Sequence, residues 1–175
     1  MSVEKLRSLV AEIEVAMMTT RRADGHLVSR PMAVQKDAPG ADFWFVSARD
    51  APKIDEIRSD PHVNLGFYKD RTREYVSVSG IARLSDDRAT IRKLWEPDWR
   101  AWFEDQGGTY DGSADDPRLL LIGVTAESAH FLSIDKPQVV VLFELAKGIV
   151  TGKAPDLGKV EQVAGAEIEQ SSKKT

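Results

Sequence analysis

Val15-Ala16-Met17-Met18-Thr19-Thr20, the turn residues Ala23-Asp24-Gly25, and His26-Leu27-Val28-Ser29-Arg30-Pro31-Met32-Ala33-Val34 follow one another near the start of this chain. The first run is rich in β-formers, Asp-Gly is turn chemistry, and the second run alternates polar and apolar residues, so the stretch predicts a β-hairpin. Arg30 and Pro31 lie inside its second arm. Proline has no backbone donor, which places this arm at a sheet edge or at a bulge in mid-length. A bulge would leave backbone groups unpaired and available to a ligand.

On the N-terminal side, Leu6, Leu9, Val10 and Ile13 recur at helical steps behind Ser2, a candidate N-cap, and predict an amphipathic helix over 3–14. On the other side, Phe43-Trp44-Phe45-Val46-Ser47 reads as a strand with large side chains on both faces. Asp50 is the expected N-cap of a short helix carrying Pro52 in its first turn and Ile54 and Ile57 on its buried face. His62–Tyr68 and the alternating Tyr75–Leu84 predict two strands around the charged turn 69–73, and Ser85-Asp86-Asp87 caps a helix to about Trp95. Arg118–Val124 and Glu127–Ile134 read as further strands. For 138–150, behind Asp135-Lys136-Pro137, a helix is preferred, while Val139-Val140-Val141 argues for a seventh strand. The division is a domain over 1–152 and a polar, frayed tail over 153–175. About six short strands with few helices imply a mainly β fold with flanking helices, a closed or nearly closed antiparallel barrel. Side chains fill a barrel of that size, so a larger ligand must bind outside it, where two subunits meet.

Composition narrows the function classes. With no cysteine among 175 residues, disulfides, thiolate nucleophiles and Cys metal sites are excluded. A net charge of −4 leaves no positive excess for a nucleic-acid backbone. Met1–Lys5 is charged at once, and the longest apolar run, Val139–Phe143, falls far short of the roughly 20 residues of a membrane helix, which reads as a cytoplasmic protein. His26, His62 and His130 have no ligand spacing, and Ser77 and Ser79 have no His or Asp at useful positions, so neither a metal centre nor a nucleophilic triad is expected.

Two constellations carry chemistry. Arg30, Ser47 and Lys53 offer a rigid fork of donors, a hydroxyl and a mobile charge at the start of a helix, a set that suits a phosphate dianion. Solvation of a surface is the plain alternative for the two cations. Trp95, Trp99, Trp102 and Phe103 read either as core and dimer packing or, for Trp102 and Phe103, as stacking beside a ligand ring. The loop Asp111–Asp116 either caps that pocket or is solvated.

At these residues the chain resembles the flavin-binding split barrels related to pyridoxamine 5′-phosphate oxidase, in their bacterial general stress protein branch. The resemblance rests on Met17-Met18-Thr19-Thr20, Asp24-Gly25, Ser29-Arg30-Pro31-Met32, Phe43–Ser47, Pro52-Lys53, Tyr75–Gly80 and Asp115-Asp116-Pro117, and spans about 5–152. It implies a six-stranded antiparallel split β-barrel that forms a homodimer, with one FMN in each of two interface grooves. It implies that Arg30 and Lys53 hold the FMN phosphate with Ser47 beside them, that backbone around Pro31, Met32 and Val46 lines the isoalloxazine, and that Tyr75 contacts the flavin. The resemblance also has gaps. The oxidase's substrate-phosphate Lys, five residues beyond the motif Arg, is Gln35; the basic residue before its phosphate-binding Lys is Pro52; and its closing Arg–His pair has no counterpart in Gln170–Thr175. The expectation is a flavin-binding general stress protein and flavin-dependent oxidoreductase acting on an unnamed small redox substrate rather than on pyridoxamine phosphate. A non-catalytic flavin-binding or sensor module, an F420-dependent reductase, and FAD in place of FMN are the alternatives.

Overall fold

A computed structural model describes residues 2–134, 140–141, 143–144, 147, 151–152 and 158–172. Helix α1 spans Ser2–Ile13 and begins at Ser2 itself, one residue earlier than an N-cap role for that serine requires. Strands β1 (Val15–Arg21) and β2 (Leu27–Ala33) form the expected hairpin, closed by Gly25 at φ 87. Strand β3 (Phe43–Ala48) leads to α2 (Pro52–Ser59), whose N-cap is Ala51 without a side-chain bond, not Asp50. Strands β4 (His62–Lys69) and β5 (Glu74–Ser85) follow, then α3 (Arg88–Leu94), capped by Asp87 accepting from the Thr90 N–H. A 3-10 turn, Pro97–Trp102, opens the long connection to β6 (Leu119–Ser133).

The sheet is antiparallel with strand order β2-β1-β4-β5-β6-β3. It does not close into a six-stranded barrel by a ladder: β2 and β3 are its two ends, and one backbone bond near them, Gln35 N–H to the Trp44 carbonyl at 2.8 Å, spans the gap. Pro31 sits on the edge strand as expected. The register through it is unbroken, Met17 opposite Pro31, so of the two alternatives it is the edge position, not a bulge, that accommodates the missing donor.

Two strand expectations are corrected. The segments 118–124 and 127–134 are one strand, and its irregularity is a bulge: Ser79 faces Ser128 while Gly80 faces Ala126. A Cβ on Gly80 would stand 2.4 Å from the Thr125 carbonyl oxygen, so the chains approach there as only glycine allows. The second correction concerns the supposed frayed tail. Residues Lys159–Ala164 form β7, paired with Ser128–Ser133 of β6, and Gly165–Ser172 form α4. Val163 and Ile168 are buried in the main core, and side chains of this size contribute about 1.5–3 kcal/mol each on burial, enough to hold a short polar segment in place. The choice between helix and strand over 138–150, and the Asp135-Lys136-Pro137 cap, lie for the most part outside the described residues; Val140, Val141, Phe143, Glu144 and Lys147 are helical.

The core has two parts. On the inner face of the sheet, Met18, Phe45, Leu65, Val78, Ile122 and Phe131 pack against α1 and α2. On the other face of β3 and β6, Trp44, Leu119 and Leu121 meet Ile91, Leu94, Trp99 and Phe103. β6 is therefore covered on both faces from Leu119 to Val124, which is why that run is continuously apolar.

Glu14, between α1 and β1, adopts φ 63, its N–H bonding the Val10 carbonyl and its own carbonyl accepting from Val34. This is a helix C-terminal cap of the kind glycine makes at no steric cost. Glu14→Gly should raise the unfolding free energy by about 1 kcal/mol; a lowered urea midpoint would contradict this account of the turn.

Candidate functional site

Alternation along β1 turns Ala16, Met18 and Thr20 inward, and the pairing of Met18 with Arg30 puts Arg30 on that same side, near the end of the sheet. There Arg30 Nη1 donates to the fully buried Thr20 hydroxyl, and Nη2 donates to Glu56 Oε2 at 2.8 Å. The Thr20 hydroxyl in turn donates to the same carboxylate oxygen at 2.5 Å. Glu56 belongs to α2. Ile54 and Ile57 anchor that helix in the core, which leaves Lys53 and Glu56, three residues apart, on a neighbouring face.

Lys53 completes the cluster. Its Nζ donates to Ser47 Oγ at 3.1 Å, and Ser47 Oγ donates to the Ala48 carbonyl at 3.1 Å. Half-burial lowers the Lys53 pKa, with the neighbouring Arg30 charge acting in the same direction and Glu56 opposing both. Among the described residues Lys53 forms no ion pair; one hydroxyl is its polar partner, and two of its three donors are spare. Arg30 likewise keeps donors beyond the two that Thr20 and Glu56 take. A partly desolvated lysine with spare donors beside a guanidinium fits an incoming phosphate, which supplies the acceptors this corner lacks.

The structure thus brings Arg30, Ser47 and Lys53 together. Met32 packs against the main core, Pro31 faces outward opposite Met17, and Val46 packs on the second core, on the other side of β3 from Ser47. Tyr75 stands on β5, paired with Tyr68 and Leu132, three strands away from Arg30. The aromatic group divides. Trp99 is buried and donates to Gln35 Oε1 at 2.9 Å, Trp95 donates to the Gly112 carbonyl at 3.1 Å, and Phe103 is buried beneath the Arg118 guanidinium. Trp102 alone stands out, 81% exposed. The acidic loop is neither lid nor solvated run throughout, because Asp116 is fully buried and pairs with Arg118.

Thr20 and Glu56 are site residues that sequence reasoning missed. Their signal was present: a hydroxyl at an inward position of an alternating strand, and a carboxylate three residues beyond the lysine on an amphipathic turn. Gln35 is structural, its amide donating to the Ala33 carbonyl at 3.0 Å while its oxygen accepts from Trp99. A cleft of about 720 Å³ lies elsewhere, between α1, the β2–β3 connection and the 3-10 turn, lined in part by Leu6, Val10 and Phe43. Arg30, Ser47 and Lys53 are not among its lining, and their charges and donors mark a separate corner of the molecule.

A profile of the family described as pyridoxamine 5′-phosphate oxidase like matches residues 1–156. The chain belongs to that family. It is 34% identical over 170 residues to Protein bli-3 of Neurospora crassa, covering 95% of this chain and 81% of that protein. Among solved structures it is similar to the general stress FMN/FAD binding protein from the phytopathogen Xanthomonas citri, with 28% identity and a TM-score of 0.59 over 73% of this chain and 85% of that one. A Clostridium acetobutylicum protein related to general stress protein 26 of B. subtilis shares the fold at a TM-score of 0.67 and 17% identity, covering 95% of this chain and 96% of that one. No helix among the described residues is long and apolar enough to cross a membrane.

Proposed function

We propose that this protein is a flavin-binding member of its family, a cytoplasmic homodimer that takes the phosphate of a flavin, FMN or FAD, at the Arg30–Ser47–Lys53 corner and acts as a flavin-dependent oxidoreductase on a small redox substrate. The observation that carries this reading is Lys53, half-buried beside Arg30 with only the Ser47 hydroxyl as partner. The similarity to a protein named for FMN/FAD binding supports it. A bound flavin supplies hydride acceptance and donation. The chain's own residues do the rest: Arg30 and Lys53 bind the phosphate, Thr20 and Glu56 hold the Arg30 fork, and the free edge of β2 offers backbone groups to the ring.

Dimerisation at the outer face of the sheet is supported by its apolar residues. Val15 and Met17 are 43% and 45% exposed, and Tyr68 is 54% exposed on the same face of the adjacent strand β4. A second copy would cover them and bring its own Tyr75 and Trp102 toward the groove. Trp102→Ala should lower the dimer fraction in sedimentation velocity or change bound-flavin fluorescence; no change in either would remove Trp102 from the site.

Flavin binding without turnover is the second reading, and one observation favours it: Glu56, the carboxylate of the cluster, is committed to Arg30 and Thr20 and is not available to move protons. Parallel titrations with FMN, FAD and F420, followed by an NAD(P)H oxidation assay, test both. Sustained NAD(P)H consumption well above that of free flavin supports the enzyme, and tight binding without it supports the buffer or sensor. Preference for F420 over both flavins would move the protein to the deazaflavin class.

A further inference from the structure

Within the corner that the proposed function assigns to a flavin phosphate, the charges do not sum to what a phosphomonoester dianion needs. Arg30 and Lys53 contribute two positive charges. The Glu56 carboxylate, 12% exposed, lies 2.8 Å from Arg30 Nη2 and removes one of them. The attachment is firm, because the buried Thr20 hydroxyl bridges the same two groups. Lys53 is left as the one cation of the corner without a carboxylate in contact.

We propose that Glu56 is a specificity-determining counter-charge: by neutralising Arg30 it tunes the corner to a phosphate carrying one negative charge, and so to the anhydride-bridged phosphate of a flavin dinucleotide over a monoester. In FAD the phosphate next to the ribityl chain is joined through an anhydride bridge to a second phosphate and itself carries a single charge, its neighbour carrying another beyond the bridge, whereas the FMN phosphate approaches two near neutral pH. A corner of net charge +1 balances the first and leaves the second with an uncompensated charge beside a carboxylate. The inference rests on the flavin reading and adds to it the residue that decides which flavin is retained.

Glu56→Gln tests this, since the amide is isosteric and its oxygen still accepts from Arg30 while the charge is gone. FMN, FAD and riboflavin are titrated against wild type and E56Q by flavin fluorescence. The expected result is an increase of about tenfold in the FMN-to-FAD affinity ratio, the scale of one unit charge removed a few ångströms away at a partly buried site, with riboflavin unchanged. A ratio that stays constant or falls, with all three ligands weakened together, means that Glu56 only positions Arg30 and overturns the proposal while leaving flavin binding intact. Failure of the wild type to bind any of the three overturns the flavin reading and the proposal with it.

A measurement on the wild type stands in if E56Q does not fold. Lowering the pH from about 7.5 to about 5.5 turns the FMN phosphate toward a monoanion and leaves the FAD diphosphate unaltered, so the FMN-to-FAD ratio should rise; a fall overturns the proposal. The charged groups at and around the corner, Arg30 on β2 and Lys53, Glu56, Asp55 and Arg58 on α2, are common to both ligands, so the ratio is read against the same set. His62, at the start of β4 with its ring 2.7 Å from Asp60, which also pairs with Arg21 of β1, is likewise common to both ligands and cancels in the ratio.

Discussion

Replacing Asp116 with alanine should lower the unfolding free energy by about 3–5 kcal/mol, the loss measured when one partner of a buried ion pair is removed. Its side chain is fully buried and accepts from the Gly112 N–H at 2.8 Å, the Arg118 N–H at 2.9 Å, Arg118 Nε at 3.0 Å and Nη2 at 2.6 Å. Its carbonyl accepts from Arg88 Nη1 at 2.9 Å. These bonds fasten the connection 104–117 to the start of β6 and hold Arg118 over the Phe103 ring. Urea unfolding checks the number, and limited proteolysis should cut first within 104–115; a loss below about 1 kcal/mol would falsify the clamp. The same group gives a pH dependence. The Arg118 hydrogen bonds, against the opposing effect of burial, hold the Asp116 pKa down to about 2 from 3.8. A depressed carboxylate contributes stability that is complete above its unfolded value and declines as pH falls from about 4 toward 2. Asp116→Asn should flatten that acid limb.

Lys53→Ala should weaken FMN binding by about 10- to 150-fold and leave riboflavin nearly unchanged. A hydrogen bond to a charged group is worth about 1.5–3 kcal/mol, and only FMN carries the phosphate. The side chain is half-buried and bonds only the Ser47 hydroxyl, so its removal leaves no carboxylate stranded and the fold should persist. Isothermal titration with the two ligands separates the cases. Equal losses would mean that Lys53 supports the ring or the fold and not a phosphate.

How far the sequence carried the fold depended on whether each signal was local. The β1–β2 hairpin was legible because Asp24-Gly25 sets the turn and alternation sets the faces, and α3 because Asp87 caps it. The single strand β6 was not legible, since 125–126 pair normally with Ile81 and Gly80 and the irregularity is a bulge at Glu127, set by the register of another strand. β7 was hidden for a related reason: Lys159-Val160-Glu161-Gln162 is polar because it adds to the sheet beside β6, and only Val163 and Ile168 reach the core. At the site, Arg30, Ser47 and Lys53 stood out by residue type. Glu56 did not, because an acidic residue on a short exposed helix is ordinary until folding places it 2.8 Å from a guanidinium 26 positions earlier. Phe103 could not be separated from Trp102 by sequence, although one lies in the core and the other in solvent.

The central claim is that this chain holds a flavin at the Arg30–Lys53 corner. The most direct test is the visible absorbance spectrum of the freshly purified protein, with the chromophore released by heat and identified by mass spectrometry. Flavin bands, with FMN or FAD in the supernatant at about one per chain, are the predicted result. A colourless protein that stays colourless and leaves added FMN and FAD fully fluorescent would contradict the account.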